Sequence, residues 1–132
     1  MTTVTAALAD RSAAVRAVLR RLLEAAPEIR IVGEACDGAE LVALVASGAP
    51  QVVVADLDLP TLAGRPLVEA IAAARRVPIF VRTPRQRVDT MRLAFATYHL
   101  GVIAAIPKPD RPEGWQELGA TLIEAIRQAV AA

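Results

Sequence analysis

The sequence predicts an α/β domain: a doubly wound, five-stranded parallel sheet flanked by five helices. Three observations lead there. Short Val-, Ile- and Ala-rich runs alternate along the chain with longer stretches whose apolar residues recur at helical spacing. The run from Val52 to Ala55 is continuously apolar, the mark of a strand covered on both faces. The chain has 132 residues, 55% of them hydrophobic and 22% charged, enough to bury a core as one domain spanning 1–132.

The first run, Val4 to Ala9, closes on Asp10, and Ser12 then offers an N-cap for a helix reaching Ala26. Val15, Leu19, Leu22, Leu23 and Ala26 share one face of that helix, and Pro27 stops it. Ile29 to Ala35 is the second strand. Asp37 with Glu40 is a variant of the capping box, opening a short helix with Leu41, Leu44 and Val45 inward and Gly48 as its stop. Val52 to Ala55 is the third strand, delivering Asp56 to its carboxyl end. Pro66 occupies the first turn of the next helix, which buries Leu67, Ile71 and Ala74 and runs to Arg75 and Arg76. Val77 to Val81 is the fourth strand, with Pro78 tolerated only near its start. Val88, Met91, Phe95 and Tyr98 line a fourth helix ended by Gly101. Val102 to Ile106 is the fifth strand, followed by the extended Pro107-Lys108-Pro109. Trp115, Leu118, Leu122 and Ile126 line a fifth helix, mildly weakened by Gly119.

Composition excludes several function classes. A net charge of +1 gives no global attraction to nucleic acid or membrane, and 3% aromatics leaves few stacking platforms for single strands. No apolar run approaches the roughly 20 residues of a membrane span, and the start lacks a signal-peptide pattern, so the reading is cytoplasmic. Cys36 is the one cysteine, which rules out an internal disulfide and points to a small buried residue. Arg82, Arg85, Arg87 and Arg92, with Arg75 and Arg76 near the other edge, read as a solvated or protein-binding face because no nucleic-acid motif accompanies them. Tyr98 and His99 carry no catalytic assignment without a nearby nucleophile or second ligand.

The chemistry-bearing residues follow three different strands: Asp10, Asp56 and Lys108. With strand order 2-1-3-4-5, those strand ends converge at the topological switch point, where open α/β sheets place their ligand crevice. Two carboxylates can hold a divalent ion there, and the ammonium can neutralise phosphoryl oxygens. Taken alone, Asp56 and Asp58 could equally start a solvated loop.

These residues resemble the motifs of the receiver domains of two-component response regulators. The resemblance rests on Asp10, on Asp56-Leu57-Asp58-Leu59-Pro60 with Gly64 eight residues after Asp56, on Gly101 and on Lys108-Pro109, and it covers Val4 to about Val130. Pro27 to Gly33 and Ile106 to Asp110 look most like the receiver of the chemotaxis methylesterase. The resemblance implies a flavodoxin-like fold, with Asp56 as phosphoacceptor and Lys108 and Thr83 contacting the phosphoryl group. It implies Mg²⁺ held by Asp10, Asp56 and the Asp58 carbonyl, and a cis Pro109 aiming the lysine. It also implies a sensor histidine kinase or other signalling protein as partner, and a homodimer or partner face formed by helix 4, strand 5 and helix 5.

Three positions depart from the family pattern. The second acid after the first strand is Arg11, the hydroxyl residue after the fourth strand is Arg82, and the aromatic switch of the fifth strand is Ala105. Two readings of Arg11 compete. Either it is a fixed cation beside Asp56, making a degenerate pseudo-receiver that acts through protein contacts, or it turns to solvent and Asp10 and Asp56 keep a weakened Mg²⁺ with working phosphotransfer. The first is preferred, because losing a carboxylate and gaining a positive charge both oppose a divalent ion. Arg11 could also be a plain surface residue, at a cost to the helix dipole of only a fraction of a kcal/mol. The last residues suit either a complete protein or the N-terminal part of a longer regulator. No enzyme activity is expected. A haloacid dehalogenase type phosphatase would use the same Asp56-x-Asp58 pair, but it carries that motif on its first strand and not its third.

Overall fold

The computed structural model describes residues 3–84 and 101–131. The elements are β1 (Val4–Ala9), α1 (Ala13–Glu24), β2 (Ile29–Ala35), α2 (Gly38–Ala46), β3 (Val52–Asp56), α3 (Gly64–Ala74), β4 (Ile79–Thr83), β5 (Val102–Pro107) and α4 (Gly114–Ala131). The sheet order is β2-β1-β3-β4-β5 and every neighbouring pair is parallel. The described residues hold four helices. The helix predicted over Val88 to Tyr98 lies outside them, as do Arg85, Arg87, Arg92 and His99.

Alternation along each strand sends side chains to two core layers. Ala7, Ala9, Val53, Ala55, Val81 and Ala105 meet Leu41, Val45, Leu67, Val68 and Ile71 of α2 and α3. Leu8, Val52, Val54, Phe80 and Ile106 meet Leu19 and Leu23 of α1 and Leu118, Leu122 and Ile126 of α4. Gly119 of α4 packs against Leu22 of α1. A Cβ there would lie 3.0 Å from Leu22 Cβ, so the residue read as a weakness also lets the two helices pack closely at this point. No described helix is long and apolar enough to cross a membrane.

The caps follow the sequence. Ser12 Oγ accepts the Val15 N–H at 3.2 Å, and Asp37 Oδ1 accepts the Glu40 N–H at 2.8 Å. The Glu40 carboxylate reaches back to the Cys36 N–H at 2.9 Å and also accepts from the Cys36 thiol. Cys36 is exposed, against the expectation of a buried residue, because it follows the end of β2 and turns its side chain to the capping glutamate. That hydrogen bond is the main reason the thiol is held above its ordinary range.

The fourth strand starts and ends two residues later than predicted. Pro78 has no N–H for the ladder and lends only its carbonyl, to the Val53 N–H at 3.0 Å. At the other end the Arg82 and Thr83 carbonyls accept from Leu57 and Lys108, both at 2.9 Å. Arg82 and Thr83 are thus strand residues buried within the sheet, so Arg82 belongs to no solvated basic face.

Arg16 and Arg20 of α1 clamp Glu34 of β2 at 2.9 and 2.7 Å. Hydrogen bonds from Arg20 and then from Arg16 hold the Glu34 carboxyl below the ordinary glutamate range. A carboxyl depressed in the folded state adds stability that is complete above its unfolded value, about 4.3, and is lost as pH falls through the folded value. Glu34→Gln is therefore expected to lower stability at pH 7 by about 1 kcal/mol, the scale of exposed pairs. The gap between the variant and the native chain should then narrow as urea melts are moved from pH 7 toward pH 3; an unchanged gap would contradict the assignment.

Candidate functional site

The carboxyl ends of β1, β3, β4 and β5 bring four charged groups into one crevice. Asp10 follows β1, Asp56 ends β3, Arg82 stands opposite Asp56 in the β3–β4 register, and Lys108 follows β5. Asp10, Asp56 and Arg82 are 4%, 5% and 2% exposed, so little solvent screens them.

Two ion pairs organise the crevice. Lys108 Nζ lies 2.8 Å from Asp56 Oδ1 and 3.7 Å from Asp58 Oδ2. Asp56 Oδ1 also accepts the Asp58 N–H at 2.9 Å, which shapes the turn after β3. The second pair joins Arg82 Nη1 to Asp10 Oδ2 at 3.0 Å. Asp10 carries two further donors, the Ser12 N–H on Oδ1 at 2.8 Å and Arg16 Nη1 on its carbonyl. The Arg82 guanidinium also stands over the Trp115 ring, 5.7 Å from its centroid, which ties the crevice to the first turn of α4.

The loop after Asp56 is fixed from below. The Gly38 N–H donates to the Pro60 carbonyl at 3.0 Å, and a Cβ on Gly38 would lie 2.1 Å from the Leu62 carbonyl oxygen. Only glycine admits that approach. Thr61 adopts φ 63 and its hydroxyl accepts from Ala39, while the Gly64 N–H returns to the Leu57 carbonyl at 2.9 Å.

The structure brings Asp10, Asp56, Asp58, Lys108 and Arg82 together as the sequence placed them, with three differences. The cation buried in the crevice is Arg82; Arg11 is exposed. Arg11 opens the turn before α1 and faces solvent, whereas Arg82 issues from a strand whose alternation aims it across the sheet end. Pro109 is not cis, since no described peptide bond is; trans is the lower-energy isomer of an X–Pro bond by about 0.5–1 kcal/mol. Thr83 is fully buried and its hydroxyl has no hydrogen-bond partner. It is offset by one from Arg82, and strand alternation turns it toward the face carrying Val81. Ala105 is buried in the core layer that also holds Val81 and Ile79 of β4. The Arg82–Trp115 contact was not foreseen, because the two residues are 33 positions apart in sequence.

The resemblance implies Mg²⁺ at this crevice, and the residues present do not fit it. Each Asp10 oxygen already has a donor on it, one of them a buried guanidinium, and Asp56 is neutralised by Lys108. A small hard cation needs near-octahedral oxygen donors, and here the second carboxylate after β1 is replaced by Arg11.

Comparison with known proteins matches residues 6–118 to the response regulator receiver domain family. Among curated proteins, the chain is 29% identical over 120 residues to a protein-glutamate methylesterase/protein-glutamine glutaminase 1 of Methanosarcina mazei, covering 91% of this chain and 33% of that protein. It is 34% identical over 105 residues to protein-glutamate methylesterase/protein-glutamine glutaminase 4 of Geobacter metallireducens, covering 80% of this chain and 30% of that one. The chain thus spans about a third of the length of these relatives. Among solved structures, the response regulator domain of Thermotoga maritima CheB superposes with a TM-score of 0.86 at 23% identity, over 98% of both chains. The signal receiver domain of the response regulator NarL from Mycobacterium tuberculosis gives 0.70 at 17% identity, over 94% of this chain and 98% of that one.

Proposed function

The chain belongs to the response regulator receiver domain family of two-component signalling, and from that premise we propose that it is a degenerate receiver: a cytoplasmic module that signals by protein contact and turns over no substrate itself. The observation that carries this reading is the buried Arg82–Asp10 pair. At that strand position the family has a small hydroxyl residue. Here a permanently charged guanidinium pairs with the acid after β1 and leaves no titratable gap to be filled by a transient charge.

The contact surface is the edge formed by β5 and α4. It carries a cavity of about 430 Å³ lined by Pro107, Pro109, Asp110, Glu113, Glu117 and Thr121, mixed polar and apolar walls suited to a protein segment. A sensor kinase, another signalling protein or a second copy of the chain would be read through this edge. Ala105 supports an unswitched surface, because a buried methyl has no alternative rotamers to couple crevice to edge.

A second reading, a working phosphoacceptor, draws support from Lys108 lying 2.8 Å from Asp56, the arrangement that phosphotransfer to Asp56 would use. Intact mass spectrometry after acetyl phosphate and Mg²⁺ separates the two readings. The native chain and Asp56→Asn are both expected to keep their mass. A one-phosphoryl gain by the native chain that Asp56→Asn lacks overturns the degenerate reading in favour of the second. A phosphatase of the haloacid dehalogenase type has lost its footing, since its motif belongs on a first strand and Asp56 ends β3.

A further inference from the structure

We infer that Arg82 is a resident cation that stands in for a divalent metal, closing the crevice to Mg²⁺ and holding it in one charge state against the C-terminal helix. The inference rests on the degenerate reading above and deepens it by naming the group that closes the site.

Reach comes first. β3 lies between β1 and β4, and neighbouring strands are about 4.8 Å apart. A side chain from β4 that bonds a carboxylate after β1 must therefore cross the end of β3, where Asp56 stands in register with Arg82. The guanidinium thus reaches Asp10 across the end of the strand that carries Asp56.

Charge follows. Asp10 is paired with Arg82 and Asp56 with Lys108, so each of the two buried carboxylates already has a cation on it before any ion arrives. A divalent cation would have to displace Arg82 from Asp10, and Arg82 would then be a charge at 2% exposure with no counter-ion. Its Nε already lacks a partner, so Asp10 and the Trp115 face are what hold it.

Arg11 is outside this arrangement, which yields a non-additive expectation. Arg11→Asp supplies a second carboxylate but leaves Asp10 occupied. Arg82→Ser frees Asp10 but supplies no new ligand. Together they should create a site.

The test titrates Mg²⁺ into the native chain, Arg11→Asp, Arg82→Ser and the double variant. Calorimetry reads binding, and emission of Trp115, the chain's single tryptophan, reads the Arg82 contact. The native chain and Arg11→Asp are expected to give no saturable heat. Arg82→Ser should bind weakly, and the double variant at least about tenfold tighter than Arg82→Ser. Saturable binding by the native chain, or Arg11→Asp alone matching the double variant, overturns the inference. Should Arg82→Ser not fold, melting temperature decides on the other two proteins. Mg²⁺ must raise neither beyond the effect of NaCl at equal ionic strength, and a specific rise in the native chain overturns the inference.

This outcome is separable from the phosphorylation test. A native chain that binds Mg²⁺ and takes no phosphoryl group overturns the resident cation and leaves the degenerate reading. One that is phosphorylated at Asp56 while giving no saturable metal binding does the reverse.

Discussion

Asp10→Asn is expected to destabilise the protein by about 3–5 kcal/mol, the cost of leaving a buried charge without its partner. The substitution is nearly isosteric. Its amide oxygen can still accept the Ser12 N–H that Oδ1 accepts now, so the helix entry survives. What is lost is the negative charge 3.0 Å from Arg82 Nη1, at a site where neither side chain can turn to water. The pair as a whole contributes far less than its disruption costs, because desolvation of both ions offsets most of their attraction. Asp10→Asn/Arg82→Met should therefore recover most of the loss, the methionine taking the place of the arginine stem against Trp115. Urea unfolding of the native chain, both single variants and the double variant measures this as a cycle, with coupling of up to about 3 kcal/mol. A loss below about 1 kcal/mol for Asp10→Asn would mean that Arg82 finds other solvation, and the fixed-cation account of the crevice would fail with it.

Phe80→Ala should cost about as much, 3–5 kcal/mol, by a different route. Phe80 is fully buried, in register with Val54 on one side and Ala104 on the other, in the layer that α1 and α4 cover. Both strand neighbours are smaller, so neither can fill the space of a lost ring, and the helices above are held by Leu19, Leu122 and Ile126. Phe80→Leu should cost under about 1.5 kcal/mol, since volume is nearly kept. Phe80 also precedes Arg82 by two on the same strand face, so loosening it should reach the Arg82–Trp115 contact. Denaturation curves followed by Trp115 emission check both parts: a lower midpoint, and native emission shifted to longer wavelength. An Ala variant as stable as the Leu variant would show that the layer collapses around the gap. Against a total of about 5–15 kcal/mol for a domain, either full loss approaches unfolding.

Much of this fold is written locally. Ser12, Asp37 and Gly48 mark helix ends through groups within four residues of themselves, and the structure uses them as the sequence suggests. Continuous apolar runs identify β1, β3 and β5 because both sheet faces are covered, whereas β2 carries Arg30 and Glu34 and stands at the edge of the observed order β2-β1-β3-β4-β5. Pro78 shows the limit of apolar pattern: Val77 and Pro78 extend the run, but the ladder begins only where N–H groups are available, at Ile79.

The candidate site was legible to the same depth. Strand ends place Asp10, Asp56 and Lys108 at one crevice because topology converges there, whatever the side chains do. Which cation enters is a long-range matter. Arg11 is adjacent to Asp10 in sequence and points to solvent, while Arg82, 72 residues from Asp10, reaches it. Sequence proximity misleads here because a turn residue can rotate outward, whereas a strand residue's direction is fixed by the pleat. Sequence by itself therefore determined the fold, the family motifs and the acids. Tertiary structure decided how the charges pair, since a buried arginine is committed to whatever carboxylate and aromatic face the packed sheet and helix bring within its reach.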